Sequence, residues 1–229
     1  MTMTMQVRSM GRAAAVAVLL AALSAGGCAA PAATPPRVLA PELVAAPSHL
    51  PAIVDAKSGV SWHACADLIQ ALQTGRVPEE VTELPQFNSW AGCQSAALVA
   101  QGTANDGLDA HDAGNRLYRY LDLATVESSL AQDRPADHYV LADFKSAKVE
   151  TTSTSVTLHD KGFVYELRVL AVGDFRHAGH GEWLVRFIER SVTGGSYDRT
   201  AILVIDPVGD AGLAATDALE ALRAKTRES

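Results

Sequence analysis

Between two apolar runs lies the stretch Gly173-Asp174-Phe175-Arg176-His177-Ala178-Gly179-His180-Gly181-Glu182, in which carboxylates, imidazoles, a guanidinium and three glycines crowd into one turn of chain. Calcium loops of the Asp-x-Asx-x-Asp-Gly kind set side-chain oxygens at alternate early positions, a glycine at the bend and a further carboxylate at the end. Aligned that way, Asp174 and Glu182 occupy the outer ligand positions and Gly179 the bend, but Arg176 and Ala178 stand where oxygen ligands belong. The spacing therefore predicts a structural turn in which Arg176 supplies positive charge at the ion's place and pairs with Asp174 or Glu182. Such a pair on an exposed turn would contribute ~0 to 1 kcal/mol. Two metal chemistries stay open to the same residues: calcium on the remaining carboxylates, or zinc or copper on His177 and His180 with Asp174 or Glu182. Neither is favoured: Arg176 and Ala178 remove two of calcium's oxygen ligands, and His-x-x-His in a glycine-rich turn is a loose pattern without a fixed scaffold for zinc or copper.

The second group of reactive residues is a matched pair, Ser61-Trp62-His63-Ala64-Cys65 and Ser89-Trp90-Ala91-Gly92-Cys93. Each serine is expected to be the N-cap of a helix. Behind them Cys65, Leu68, Ile69 and Leu72, and then Cys93, Ala96, Ala97 and Ala100, fall at helical spacing, with Gly102 as a stop. Both cysteines would face the core. They are candidates for a disulfide between packed helices, the alternative being two free core thiols. His63 lies two residues before Cys65, which raises a thiol and imidazole nucleophile as the competing reading; a thiol turned into the core lacks the exposed thiolate that catalysis needs. No catalytic residue is assigned, and the chain carries no nucleophile elbow, phosphate loop or dinucleotide fingerprint.

The elements that must position these residues follow a clear address label. Arg8 and Arg12 precede an apolar run over residues 13–23, and small residues then lead to Cys28. This is the layout of a secretion signal, and the apolar run is shorter than the ~20 residues needed to span a bilayer. Leu23-Ser24-Ala25-Gly26-Gly27-Cys28 resembles the lipobox of bacterial lipoproteins, with Ala25 in place of the usual leucine. The resemblance implies cleavage after residue 27, lipidation of Cys28 and attachment to a membrane, and Ala29 after the cysteine points to the outer membrane facing the periplasm. All four methionines lie before that cysteine. Of 19 basic residues Arg8 and Arg12 would be removed, leaving 17 against 26 acidic ones and a net charge of −9. That balance excludes nucleic acid as a partner, which wants a basic face.

Residues 28–51 are rich in alanine and proline and read as a tether. Residues 52–229 then suit a single domain. Pro78, Glu79-Glu80, Pro85 and Asn88 mark a connection between the first two helices, a third helix is predicted over residues 113–124, and residues 132–137 read as irregular. Beyond Ala147 the period changes. Val156 and Leu158, then Phe163, Tyr165, Leu167, Val169 and Ala171, alternate with polar residues about Asp160-Lys161-Gly162, which predicts a hairpin. Trp183, Val185 and Phe187 begin a third strand and residues 201–205 a fourth, separated by a turn at Gly194-Gly195-Ser196. Ala215, Ala218, Leu219 and Leu222 predict a closing helix. The expected fold is α+β: N-terminal helices on a mainly antiparallel sheet of about four strands, with a C-terminal helix.

The run from Gly173 through Arg186, with Gly195-Ser196-Tyr197 and Leu117-Tyr118-Arg119-Tyr120-Leu121-Asp122-Leu123, resembles uncharacterised proteobacterial envelope proteins whose corresponding loop reads as a calcium turn. The resemblance covers about the last half of the chain and implies no known activity. The expected function is a lipid-anchored envelope protein that acts as a non-catalytic interaction or structural module, without a cofactor, its partners being the membrane through the lipid and an envelope protein or the cell wall. A small-ligand or metal-binding sensor using residues 174–182, with calcium or zinc, is the alternative, and a hydrolase with a site assembled from distant residues is the third.

Overall fold

The computed structural model describes residues 33–46, 52–54, 59–74, 84–131, 139–194, 197–207 and 212–224. The signal segment, Cys28, residues 132–137 and the Gly195-Ser196 turn lie outside the described residues.

In chain order the elements are β1 (Arg37–Val38), α1 (Pro41–Val44), β2 (Ile53–Val54), β3 (Ser61–Trp62), α2 (Cys65–Gln73), α3 (Leu84–Gln101), α4 (Ala113–Tyr120), β4 (Lys148–Thr151), β5 (Ser155–Asp160), β6 (Phe163–Gly173), β7 (Glu182–Ser191), β8 (Asp198–Asp206), β9 (Ala214–Asp217) and α5 (Ala218–Ala224). Short 3-10 turns stand at Leu123–Thr125, Ser129–Ala131 and Leu141–Asp143.

The expected α+β arrangement with a sheet of about four strands is corrected by the pairing. The main sheet has seven strands in the order β4-β5-β6-β7-β8-β9, with β1 pairing β6 as well. Every ladder in it is antiparallel. The hairpin and the two following strands form where alternation predicts them, and Lys161 and Gly162, both at positive φ, make the tight turn that the right-handed twist of a hairpin favours. The extra strands lie outside that pattern. Arg37–Val38, within the stretch read as tether, pairs with Val172 and Ala171, and Leu39 and Ala40 both donate to the carbonyl of Leu170. Lys148–Thr151 forms one edge, and Ala214–Asp217, read as the start of the last helix, pairs instead with β8.

Helices cover both faces of the sheet. On one face Val156, Leu158, Leu167, Val169, Val185, Phe187 and Trp183 pack with α4 and the 3-10 turns. On the other, Leu170, Ala171, Leu184, Ile202 and Val204 pack with α2, α3 and α5. A bulge between Val169 and Ala171 adds one residue to β6. Because side chains alternate along a strand, this exchanges the faces: Val169 belongs to the first core, and past the bulge Val172 does. The same bulge presents the Leu170 carbonyl that holds the N-terminal strap.

The helix boundaries also need correction. Ser61 is not an N-cap but a residue of β3, paired with Val54, and α2 begins at Cys65. Ser89 lies inside α3, which starts at Leu84 and takes Pro85 and Asn88 into the helix; proline is tolerated in a first turn, where its missing N–H would have no partner anyway. The third helix ends at Tyr120 rather than Ala124, because Leu121 and Asp122 turn to pair with Leu213. Tyr120 is thereby exposed while Leu117 and Leu121 stay in the core. Gly114 lets α4 approach the sheet: a Cβ there would sit 2.2 Å from the carbonyl oxygen of Ser155 and 2.3 Å from that of Thr152.

The expected disulfide is present. Cys65 at the start of α2 is joined to Cys93 within α3, with their Cα atoms 5.3 Å apart.

Candidate functional site

The turn between β6 and β7 is held from both ends. Gly173 and Glu182 close the ladder as opposed residues. Asp174 exchanges two backbone hydrogen bonds with Thr103, just past the end of α3, at 2.8 and 3.1 Å. Phe175, fully buried, drives the turn into the core, and Gln101 Nε2 donates to its carbonyl at 3.1 Å. A Cβ on Gly173 would meet the Thr103 carbonyl at 2.7 Å and Pro36 at 2.8 Å, so this contact requires glycine. The bend itself uses positive φ at His177 (58°) and Gly179 (79°).

Inside this frame the two terminal carboxylates bind the chain's own amides. Asp174 Oδ1 accepts from Ala178 N at 2.8 Å and its Oδ2 from Gly179 N at 2.9 Å. Glu182 Oε2 accepts from Phe175 N at 2.8 Å and Arg176 N at 3.0 Å, while its Oε1 accepts from Arg176 Nε. The guanidinium reaches on to Thr216 Oγ1 at 3.2 Å and to Asp206 Oδ2 at 3.6 Å. His180 Nε2 meets the same Asp206 oxygen at 2.8 Å. Arg176 thus joins two acidic groups on β7 and β8, as a bound cation would, and Glu182 is the partner it takes rather than Asp174.

The expected strength of this pair is corrected by its burial. Glu182 has no solvent exposure and the Arg176 side chain retains only 25 %, so the pair is not a surface ion pair. Charge-assisted hydrogen bonds in such a place are stronger than neutral ones, and removing one partner leaves the other charged and stranded.

The four residues weighed as a metal set do not converge. His177 is exposed on the outer bend, and His180 turns to Asp206. Asp174 and Glu182 are each spent on successive amides. Among the described residues, no group of three or more His, Cys, Asp or Glu side chains is arranged to hold a metal ion. His63 is exposed and precedes a cysteine committed to the disulfide, so the pair has no thiolate to offer.

A second polar cluster was not visible in the sequence. Tyr165 on β6, Glu189 on β7 and Arg199 on β8 are successive cross-strand partners, so their side chains share one face. Glu189 is fully buried and takes the Ser129 amide at 3.2 and 3.3 Å on its two oxygens, with the Ser129 hydroxyl donating to Oε1. The Tyr165 hydroxyl lies 3.3 Å from the Ser129 hydroxyl. Burial pushes the Tyr165 phenol above its ordinary value, and the Glu189 charge adds to this. Burial raises Tyr197 in the same way, again with Glu189 contributing. Both phenols therefore keep their protons at neutral pH. Ser129 and Tyr165 of this cluster line a cleft of about 510 Å³, with Glu189 behind them. The only advance signal was Glu189 itself, a carboxylate in register with the apolar positions Val185 and Phe187.

Compared with known proteins, the chain matches no family model, no curated protein and no solved structure.

Proposed function

We propose that this chain is a lipid-anchored module of the bacterial cell envelope that works by binding another envelope component and performs no chemistry of its own. The observation that carries the reading is the Cys65–Cys93 disulfide. Such bonds persist in oxidising compartments, and the sequence supplies a matching export signal and lipobox. On this reading Cys28 bears the lipid, the anchor lies in the outer membrane, and the folded unit is held on its periplasmic side. The non-catalytic part of the proposal is supported by the turn at residues 174–182, where Asp174, Glu182, Arg176 and His180 are engaged with the chain's own amides and with one another. The partner is a protein or the cell wall itself.

The test is palmitate labelling and membrane fractionation in the cells that make the protein. The wild-type chain is expected to take up label and sediment with the outer membrane, and Cys28→Ser to take up none and appear in the soluble fraction. An unlabelled wild type, or a Cys28→Ser variant that fractionates like the wild type, would remove the anchor from this account.

A further inference from the structure

We propose that the cleft over Tyr165 is a saccharide subsite, built to hold a short uncharged stretch of glycan. The proposal rests on the envelope reading for its biological ligand and narrows the partner to the glycan of the cell wall. The cleft itself is defined independently of that reading.

Three features select this chemistry. The cleft lies between the 3-10 turn at Ser129–Ala131, residues 139–146 and the β5–β6 hairpin, is open to solvent, and has a volume of about 510 Å³, within the range of small-ligand sites. Its walls are aromatic. The Tyr139 and Phe144 rings are 4.9 Å apart and tilted, and Phe163 stacks on Tyr165 at 6.1 Å. Tyr139, Phe144 and Phe163 are all only partly buried, so each keeps some ring surface open. A pyranose ring presents an apolar C–H face that covers such a surface, and the rigid rings cost little conformational entropy to engage.

The rim and floor then supply what sugar hydroxyls need, which is acceptors and donors side by side. Asp143 and Asp160 line the cleft together with Lys145 and Lys161, so the charges balance. That balance disfavours an anion as much as a cation and leaves a neutral, hydroxyl-rich ligand as the best match. At the floor, the Ser129 hydroxyl gives its proton to buried Glu189, so the Tyr165 hydroxyl donates to Ser129 and its own oxygen remains an acceptor. Glu189 thereby orients two hydroxyls without reaching the cleft itself, and it is a positioning residue.

The test is calorimetric titration of the detergent-solubilised full-length chain with a β-1,4-linked N-acetylglucosamine tetrasaccharide. Saturable binding is expected. Phe144→Ala should weaken it about tenfold, the loss of one stacking face. Lys145→Ala, at an exposed position where only a bond to the Ala142 carbonyl is lost, should weaken it several-fold with no change in melting temperature, so a folding defect cannot imitate the result. Val60→Ser, on the exposed residue that precedes β3 and is not among the cleft residues, should leave it unchanged. Absence of saturable binding, indifference to both cleft substitutions, or binding of a wall stem peptide in place of the glycan would overturn the proposal. Because binding is read in detergent, failure of lipid anchoring at Cys28 would not affect this result, and a failed titration would not touch the anchor.

Discussion

Replacing Arg176 with alanine is expected to lower the unfolding free energy by about 3 kcal/mol, near the lower end of what is seen when one partner of a buried ion pair is removed. For a domain of this size that corresponds to a fall in melting temperature of roughly 6 to 12 °C. The reason is the partner left behind. Glu182 has no solvent exposure, and two backbone amides, at 2.8 and 3.0 Å, would be its remaining compensation. Asp206 would lose its contact with the guanidinium at the same time. Arg176→Lys should recover part of the loss, since an ammonium keeps the charge but cannot span Glu182, Thr216 and Asp206 as the planar fork does. Salt should rescue little, because screening acts weakly on a partner excluded from water. Melting curves of the wild type and both variants, at low and high ionic strength, make the comparison. An Arg176→Ala variant as stable as the wild type would show that the pair is incidental.

The second large effect is expected at the disulfide. Cys65 and Cys93 are 28 positions apart, a loop for which the chain-entropy model gives about 3 to 4 kcal/mol. Serine at both positions, or reduction of the wild type, should cost that amount and lower the melting temperature by roughly 6 to 16 °C. The local structure explains the sensitivity. The α2 helix has nine residues, shorter than an isolated helix needs in water, and its packing partners are α3, α5 and β3. The bond fixes its first residue to the middle of α3, so without it the segment that carries buried Leu68 and Ala71 must find its place unaided. Calorimetric scans with and without reductant read the difference. Coincident scans would mean that packing alone secures α2.

What the sequence made legible was whatever repeats. The β5–β6 hairpin follows from the alternation of Val156, Leu158, Phe163, Tyr165 and Leu167 about a turn able to take positive φ, and β7 and β8 follow from their apolar runs. Short strands have no period to read. Arg37–Val38 is two residues long, and what makes it a strand is the open edge of β6 beyond the end of β5. Ala214–Asp217 contains good helix formers, and pairing with β8 overrides that preference until Asp217 caps α5 by accepting from Leu219 N at 2.8 Å. The two serine caps failed for a related reason: a motif suggests a helix start but cannot show that Ser61 is needed in a ribbon or that α3 begins a turn and a half before Ser89.

The turn at residues 174–182 was legible in its chemistry and not in its environment. The substitution of Arg176 for a ligand announced that positive charge had entered the loop. That Glu182 is the partner, that it is buried, and that Asp206 and Thr216 complete the contact depend on β8 pairing with β7 and β9 with β8, which no local pattern encodes. Tyr165, Ser129 and Glu189 are hidden for the same reason, since their meeting is a matter of cross-strand register.

The central claim is that the turn carries its own cation and holds its shape without a metal. The most direct measurement is isothermal titration of the purified, chelator-treated protein with calcium and, separately, with zinc, accompanied by melting curves at each end point. The account predicts a flat trace for both ions and an unchanged melting temperature. Stoichiometric, saturable heat that is abolished by Asp174→Asn would contradict it.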